Sequence, residues 1–361
     1  MPSVDIHDPL FEPFVEPEHR IYPKKVDGHF RRIKWGIQLL TLAIYYFLPF
    51  VRWDRGPGAP SQAVLLDLPH RRFYFFFIEI WPQEVYYLTG LLIIAAMTLF
   101  LMNAMAGRVW CGYLCPQTVW TDLFMQVERW VEGDRRERMQ RDAAPMDLEK
   151  FSLRLLKHSL WLLIAWWTGG AWVLYFTDAP TLVYTLATFQ TGAFEAYLWI
   201  GILTFTTYVF AGWMREKLCL HACPWPRIQA ALTDEWALNV TYRFDRGEPR
   251  GSVKKNEALR LAGEKSGDCV DCHQCLNVCP TGVDIRDGLQ IDCIQCGLCI
   301  DACDSIMTAW KKPAGLISYT SLSKLEGRFV KNIRKRLIVY AVLATVLAGI
   351  SAVLVFTRPD V

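Results

Sequence analysis

Twenty consecutive residues near the C-terminus, LIVYAVLATVLAGISAVLVF from Leu337 to Phe356, carry no charge. A bilayer core about 30 Å thick needs roughly 20 apolar residues in helical form, and inside it the backbone must satisfy its own hydrogen bonds. Four more apolar runs stand near Trp35 to Val51, Val85 to Met105, Ser159 to Phe176 and Tyr197 to Met214. Together they predict an α-helical integral membrane protein with five transmembrane helices in contact with lipid. A hydrophobic content of 52% agrees with this, and a net charge of only +3 leaves no electrostatic footprint for nucleic acid.

Lys and Arg collect at one side of these runs, which sets orientation. Lys24, Lys25, Arg31, Arg32 and Lys34 precede the first; Arg108, Arg129, Arg135, Arg136, Arg138 and Arg141 follow the second. Arg215 and Lys217 follow the fourth, and Lys331, Arg334, Lys335 and Arg336 precede the fifth, while the stretch Thr177 to Ala196 has neither residue. The stretch Arg52 to Glu84, with Arg52, Arg55, Arg71 and Arg72, is a partial exception. The N-terminus is expected in the cytoplasm and the C-terminus outside, in the periplasm. Residues 1–32 are polar and acidic and show no cleavable signal.

Eight of the twelve cysteines fall in a polar segment, residues 225–336, between the fourth and fifth runs. Cys269, Cys272, Cys275 and Cys279, followed by Pro280, form C-x2-C-x2-C-x3-C-P; Cys293, Cys296, Cys299 and Cys303 repeat the spacing with Asp304 in the proline's place. This is the bacterial ferredoxin pattern, in which the fourth cysteine of each run reaches the other run's cluster. One 4Fe–4S cluster is expected on Cys269, Cys272, Cys275 and Cys303, the other on Cys293, Cys296, Cys299 and Cys279. Zinc sites use paired C-x2-C units separated by a longer gap and fit poorly. Asp268, Asp271, Asp292 and Asp304 are expected to lower the cluster potentials. The seven histidines lie outside the apolar runs, which argues against a haem held within the membrane.

The other four cysteines form a second repeat. RVWCGYLCPQTVW follows the second run with Cys111, Cys115 and Pro116, and REKLCLHACPWPRIQ follows the fourth with Cys219, Cys223 and Pro224. The first four runs therefore read as two tandem hairpins, each ending in C-x3-C-P, with the fifth run added. A spacing of four puts both thiols on one helical face, and proline favours the first helical position. Cys115 and Cys223 are expected at helix N-caps, where the helix dipole favours thiolate; His221 could add a ligand. The aromatic segment FYFFFIEIWP, residues 73–82, reads as an interfacial anchor or a re-entrant piece.

The strings RRFYFFFIEIWPQEVYYLTG, GRVWCGYLCPQTVWTDLF, CPWPRIQAA and TYRFDRGEPRG, with the paired ferredoxin runs, closely resemble the FixG/CcoG (RdxA) family over about residues 20–356. The resemblance implies a bacterial inner-membrane protein with two 4Fe–4S clusters that reduces Cu(II) to Cu(I) for assembly of cbb3-type cytochrome c oxidase. It implies copper handling by Cys111, Cys115, Cys219 and Cys223, contact with oxidase assembly proteins, and a cytoplasmic electron donor that no motif here identifies. It also implies an outer immunoglobulin-like domain after the last span, expected to be absent from a sequence that closes at Val361. The expected division is a cytoplasmic segment 1–32, a four-helix membrane region 33–224, a ferredoxin domain 225–336 and a fifth helix 337–361. A quinol-linked conduit similar to the NapH-type polyferredoxins, and a copper-binding assembly factor without catalysis, are the alternatives.

Overall fold

The computed structural model describes residues 20–56, 58–190, 194–328 and 334–357. Residues 1–19 of the N-terminal segment, Lys331 and the last four residues lie outside them. The chain is mostly helical. The first helix, α1 (His29–Phe47), leads into a small antiparallel sheet of β1 (Val64–Asp67), β2 (Arg72–Phe75) and β3 (Ile78–Ile80). Then come α2 (Val85–Ala106), α3 (Val109–Tyr113), α4 (Pro116–Glu132), α5 (Arg135–Ala143), α6 (Leu148–Val173), α7 (Ala179–Ala187) and α8 (Phe194–Thr207). Two π turns, Tyr208–Met214 and Leu218–Ala222, precede α9 (Trp225–Leu232). The cysteine-rich part comprises β4 (Asn239–Tyr242), α10 (Phe244–Gly247), α11 (Val253–Leu261), α12 (Gln274–Asn277), α13 (Leu298–Ala309), β5 (Ile317–Thr320) and α14 (Leu322–Leu325), and α15 (Lys335–Phe356) follows.

Four stretches are long and apolar enough to cross a membrane: His29–Phe50, Pro82–Ala106, Phe194–Met214 and Lys335–Phe356. The expected span Ser159 to Phe176 lies mostly in α6, whose 26 residues are long enough. It is not among the four because its opening turns carry Lys150, Arg154 and Lys157 and its apolar half is rich in tryptophan. Packing departs from the expected hairpins. α6 and α8 do pair, with Gly169 letting the backbones close: a Cβ there would lie 3.0 Å from the Ile200 carbonyl oxygen. α2, however, packs chiefly on α15, where the Tyr87 hydroxyl donates to the Leu354 carbonyl at 3.0 Å.

The aromatic segment 73–82 folds as strands, with Phe76 and Phe77 exposed at their turn. Its alternating aromatic and β-branched residues make β2 and β3, and positive φ at Arg71 and Phe76 turns the strands back. The sheet caps one end of the helices. Leu66 donates to the Tyr175 carbonyl, and Gln62 is buried between the Leu174 carbonyl and the Ala179 amide. Three of the four arginines that broke the charge pattern find partners here. Arg52 pairs with Asp178 at 2.6 Å, Arg72 pairs with Glu79 and stacks on Trp81, and Arg55 donates to four carbonyls.

The other end carries the cysteine-rich core. β4 and β5 pair in register from Asn239 opposite Thr320 to Tyr242 opposite Ile317, and pack with Ile285, Ile300, Met307 and Leu316. α1 starts on this core. Asp301 of α13 accepts hydrogen bonds from the Phe30 and Arg31 amides at 3.1 and 2.8 Å, serving as an N-cap 270 residues distant in sequence.

Candidate metal centres and the thiol tetrad

The two ferredoxin runs fold as copies of each other. Asp271 and His273 have positive φ, and so do Gln295 and Gly297, two and four residues after Cys269 and Cys293 respectively. Backbone of this kind turns successive N–H groups into a concavity that favours negative charge. Three of the four residues are not glycine, and such positions cost on the order of 1–3 kcal/mol each, which a functional loop can sustain. Each loop runs directly into a helix, α12 or α13.

Around these loops lie two cavities. Cys269, Cys272, Cys275 and Cys303 line one, with Tyr242 and Met307; Cys279, Cys293, Cys296 and Cys299 line the other, with Val240 and Ile285. Each gathers three cysteines from one run and the fourth from the other, and each encloses about 350 Å³ of space, mouth included. The Val283 amide donates to Cys279 Sγ at 3.3 Å, and the backbone at Leu276, Gln295 and Leu298 favours the thiolates of Cys275, Cys293 and Cys296. Burial pushes the Cys275, Cys293 and Cys303 thiols up to about 12, so binding iron there releases protons. Among the described residues no three His, Cys, Asp or Glu side chains converge on one metal ion. Four soft sulfurs spread around an apolar cavity, with amides aimed at them, fit a 4Fe–4S cluster in each place.

Of the four acidic residues expected to act on the cluster potentials, two have cations beside them, while Asp304 adds to the upward shift that burial gives the Cys303 thiol. Asp268 meets Arg246, Arg260 and Lys312, and Asp271 meets Arg286. Arg286 also contacts His273 Nδ1 at 2.7 Å, which ties the histidine to the loop's wall. Cys272 is exposed at the first cavity, whereas Cys296 of the second is buried.

The C-x3-C-P motifs also fold alike. A residue of positive φ, Gly107 or Arg215, stands four positions before the first cysteine. The second cysteine donates its amide five residues back, Cys115 to the Trp110 carbonyl at 2.9 Å and Cys223 to the Leu218 carbonyl at 2.8 Å. This π-type closure replaces the continuous helical face expected of C-x3-C, a geometry common at functional sites. Cys115 is the N-cap of α4, as expected; Cys223 stands one residue before the N-cap of α9, which is Pro224, and Pro226 occupies the second helical position. His221 is exposed.

What neither motif shows alone is that the repeats meet. Burial pushes the Cys219 thiol up to about 12, and Cys115, Cys111 and Cys223 add to that shift through their own charge. Burial likewise raises Cys111 to about 11, opposed by Arg108 and reinforced by Cys115 and Cys223. The four thiols therefore influence one another electrostatically, beyond the end of α2 and in the π turn that follows α8.

This tetrad abuts the second cavity. Cys111 packs with Ile294, Cys296 and Leu298, and the Tyr113 hydroxyl donates to the Cys296 carbonyl at 2.9 Å. Arg108, Gln229 and Gln295 join the two places. Cys111 Sγ and Arg108 Nε both donate to Gln229 Oε1, at 3.1 and 3.3 Å, while the Arg108 amide donates to Gln295 Oε1 at 3.1 Å. Arg108 is 6% exposed, and among the described residues no carboxylate ion-pairs with it. Lys34, 2% exposed and 3.8 Å from Asp122, lines a small cavity with Cys219, Thr281 and Ile294. In the sequence Arg108 and Lys34 stand out only as orientation charges; the one local hint is a cation three residues before Cys111.

Two family descriptions match the chain: a 4Fe–4S dicluster domain over residues 214–322 and a 4Fe–4S binding domain over residues 88–135. The chain is 56% identical over 311 residues to the nitrogen fixation protein FixG of Rhizobium meliloti, covering 86% of this chain and 59% of that one. It is 54% identical over 332 residues to protein RdxB of Cereibacter sphaeroides, with 90% and 69% covered. Protein RdxA of the same organism is 51% identical over 314 residues, with 87% and 65% covered. The chain thus spans roughly three fifths to two thirds of the length of these relatives. No solved structure matches it.

Proposed function

The chain belongs to the FixG/RdxA family of iron–sulfur electron-transfer proteins, and from that premise we propose that it reduces Cu(II) to Cu(I) at the thiol tetrad of Cys111, Cys115, Cys219 and Cys223. The observation that carries this reading is the contact between Cys111–Tyr113 and the Ile294–Cys296 loop, which sets a soft metal-ligand group against the wall of the inner cluster cavity. Clusters bound in the two cavities would supply electrons one at a time, as the change from Cu(II) to Cu(I) requires. The chain's own residues do the rest. Exposed Cys272 marks where a cytoplasmic one-electron donor docks, and four thiolates hold the cuprous product better than the cupric substrate, which favours reduction. Arg108, fixed between Cys111 and the Cys293–Cys296 loop, offsets negative charge on both.

In the same reading α6 is a fifth membrane span, since it runs between the same two ends as the other four. The cysteine-rich end faces the cytoplasm of a bacterial inner membrane, where its basic flanks belong, α15 ends on the periplasmic side, and the Cu(I) goes to assembly proteins of a cbb3-type oxidase. A second reading rests on the family match at residues 88–135, which contains Cys111 and Cys115: the tetrad would then hold a third 4Fe–4S cluster.

The test is Cu(I) formation by purified, chemically reduced protein given Cu(II), for the parent chain and for Cys111→Ser and Cys219→Ser. Loss of Cu(I) in the variants, with about eight irons per chain in both, supports the reductase. Equal rates would sink it, and about twelve irons in the parent falling to eight in the variants would assign the tetrad to a third cluster.

A further inference from the structure

Lys34, in the second turn of α1, is 2% exposed, and among the described residues its ammonium nitrogen has no hydrogen-bond partner. The nearest carboxylate, Asp122, forms only a long ion pair with it at 3.8 Å, and both Asp122 oxygens accept instead from Arg31 Nη1 at 2.9 and 3.0 Å. An ammonium carries three donors, and leaving them unmet away from water is costly. A group held in that state calls for an explanation in function.

The surroundings supply one. The cavity that Lys34 lines with Cys219 encloses about 340 Å³, mouth included, and shares Thr281 and Ile294 with the wall of the second cysteine cavity. Thr281 Oγ1 lies 3.4 Å from Cys279 Sγ. Arg215, which is paired with Glu128, and Glu216 complete the charged lining. Burial raises the Cys296 thiol, and Lys34 is the foremost charge opposing that rise, with Asp122 acting the other way. α1 is seated against the same loop, since a Cβ on Gly297 would lie 2.9 Å from the Phe30 ring. Arg108 thus stands on the Cys111 side of the junction between cavity and tetrad, and Lys34 stands on the Cys219 side.

Net charge around a cluster is one of the terms that set its potential, and a fixed cation out of water favours an added electron. We propose that Lys34 is a positioning residue for electron transfer: its ammonium stabilises negative charge on the cluster of the second cysteine cavity and eases passage of an electron across the junction toward Cys219. The effect on the cluster stands on the cavity alone; the destination rests on the copper-reducing reading above.

Redox titration of both clusters in the full chain, followed by electron paramagnetic resonance in detergent, tests it. Lys34→Met keeps the side chain's length and removes its charge. It is expected to leave the second cavity's cluster about tenfold less reduced at a fixed potential, a shift of about 59 mV, with the first cavity's cluster unchanged. Lys34→Arg should recover most of the shift. Asp122→Asn, which removes the opposing carboxylate, should move the same cluster the other way, a reversal that loosened packing would not give. If Lys34→Met loses iron, Asp122→Asn decides: an upward shift confined to the second cluster supports the proposal, and no shift overturns it. Equal shifts in both clusters, or unchanged potentials in an iron-replete Lys34→Met, also overturn it. Cu(I) formation is read separately. Slower formation in Lys34→Met at parental iron content supports both halves, whereas a shifted cluster in a chain whose parent forms no Cu(I) sinks the copper reading and leaves the role at the cluster standing.

Discussion

Gly112 rests directly on the backbone beside Cys296. A Cβ at Gly112 would lie 2.8 Å from the Ile294 carbonyl oxygen and 3.1 Å from the Cys296 Cα. The contact is backbone against backbone, so no rotamer change relieves it. Gly112→Ala is expected to push the second cysteine loop away and lower iron content from about eight toward four per chain. Iron analysis with electron paramagnetic resonance checks this; a variant with full iron and parental copper reduction would show that the loop tolerates the shift.

Arg108 is a fixed cation between Cys111 and the second cysteine loop. Arg108→Gln is expected to make the second cavity's cluster harder to reduce, by about 59 mV for each tenfold change in its reduced-to-oxidised ratio, and to leave the first cavity's cluster unchanged. Arg108→Lys should recover most of the shift. Redox titration of the two clusters separates the outcomes, and an identical shift in both would point to a structural effect.

Glu128 is fully buried, and burial alone would raise its carboxyl, but Arg215, Arg138 and Lys157 outweigh that and hold it below the usual range of about 4.5. A depressed carboxyl contributes stability above its unfolded value and loses it as pH falls through the folded one. Melting temperature is therefore expected to fall on acidification below about pH 4.5. Glu128→Gln should cost about 3–5 kcal/mol at neutral pH, because it leaves buried cations unpaired. Tryptophan-fluorescence melting in detergent reads both.

Asp301 caps α1 from a distance, and Gly28 makes room for it: a Cβ on Gly28 would lie 2.2 Å from the Asp301 carboxyl carbon. Asp301→Ala is expected to cost about 1–2 kcal/mol, and Gly28→Ala to break the same contact from the other side. Limited proteolysis near residue 28 should accelerate in both, with no additional loss in the double variant.

The ferredoxin loops were legible because their spacing is set by the cluster itself; the exchange of Cys279 and Cys303 between cavities follows from chain reach alone. The duplicated C-x3-C-P motifs were equally plain. Their mutual influence was not, since it depends on how the segments after α2 and α8 pack, which no local pattern encodes. Arg108 looked like any charge flanking a membrane helix, and only the packing of Gln229 and Gln295 around it gives it a second role. Residues 73–82 did not reveal their strands because a run of aromatic residues suits an interface and a strand alike; the positive φ at Arg71 and Phe76 that turns those strands occurs at residues that do not advertise it. α2 found α15 rather than α1 because the opening of α1 is held by the cysteine-rich core.

The capping of α1 by Asp301 bears on how the protein is made. The first membrane helix leaves the ribosome with its leading amides unsatisfied, and the carboxylate that completes them is synthesised 271 residues later, on the helix that also carries Cys299 and Cys303. Final seating of the earliest helix thus waits on the latest part of the soluble core, so a cell short of iron would accumulate chains whose amino-terminal helix is inserted but not locked, open to quality-control proteases at that junction.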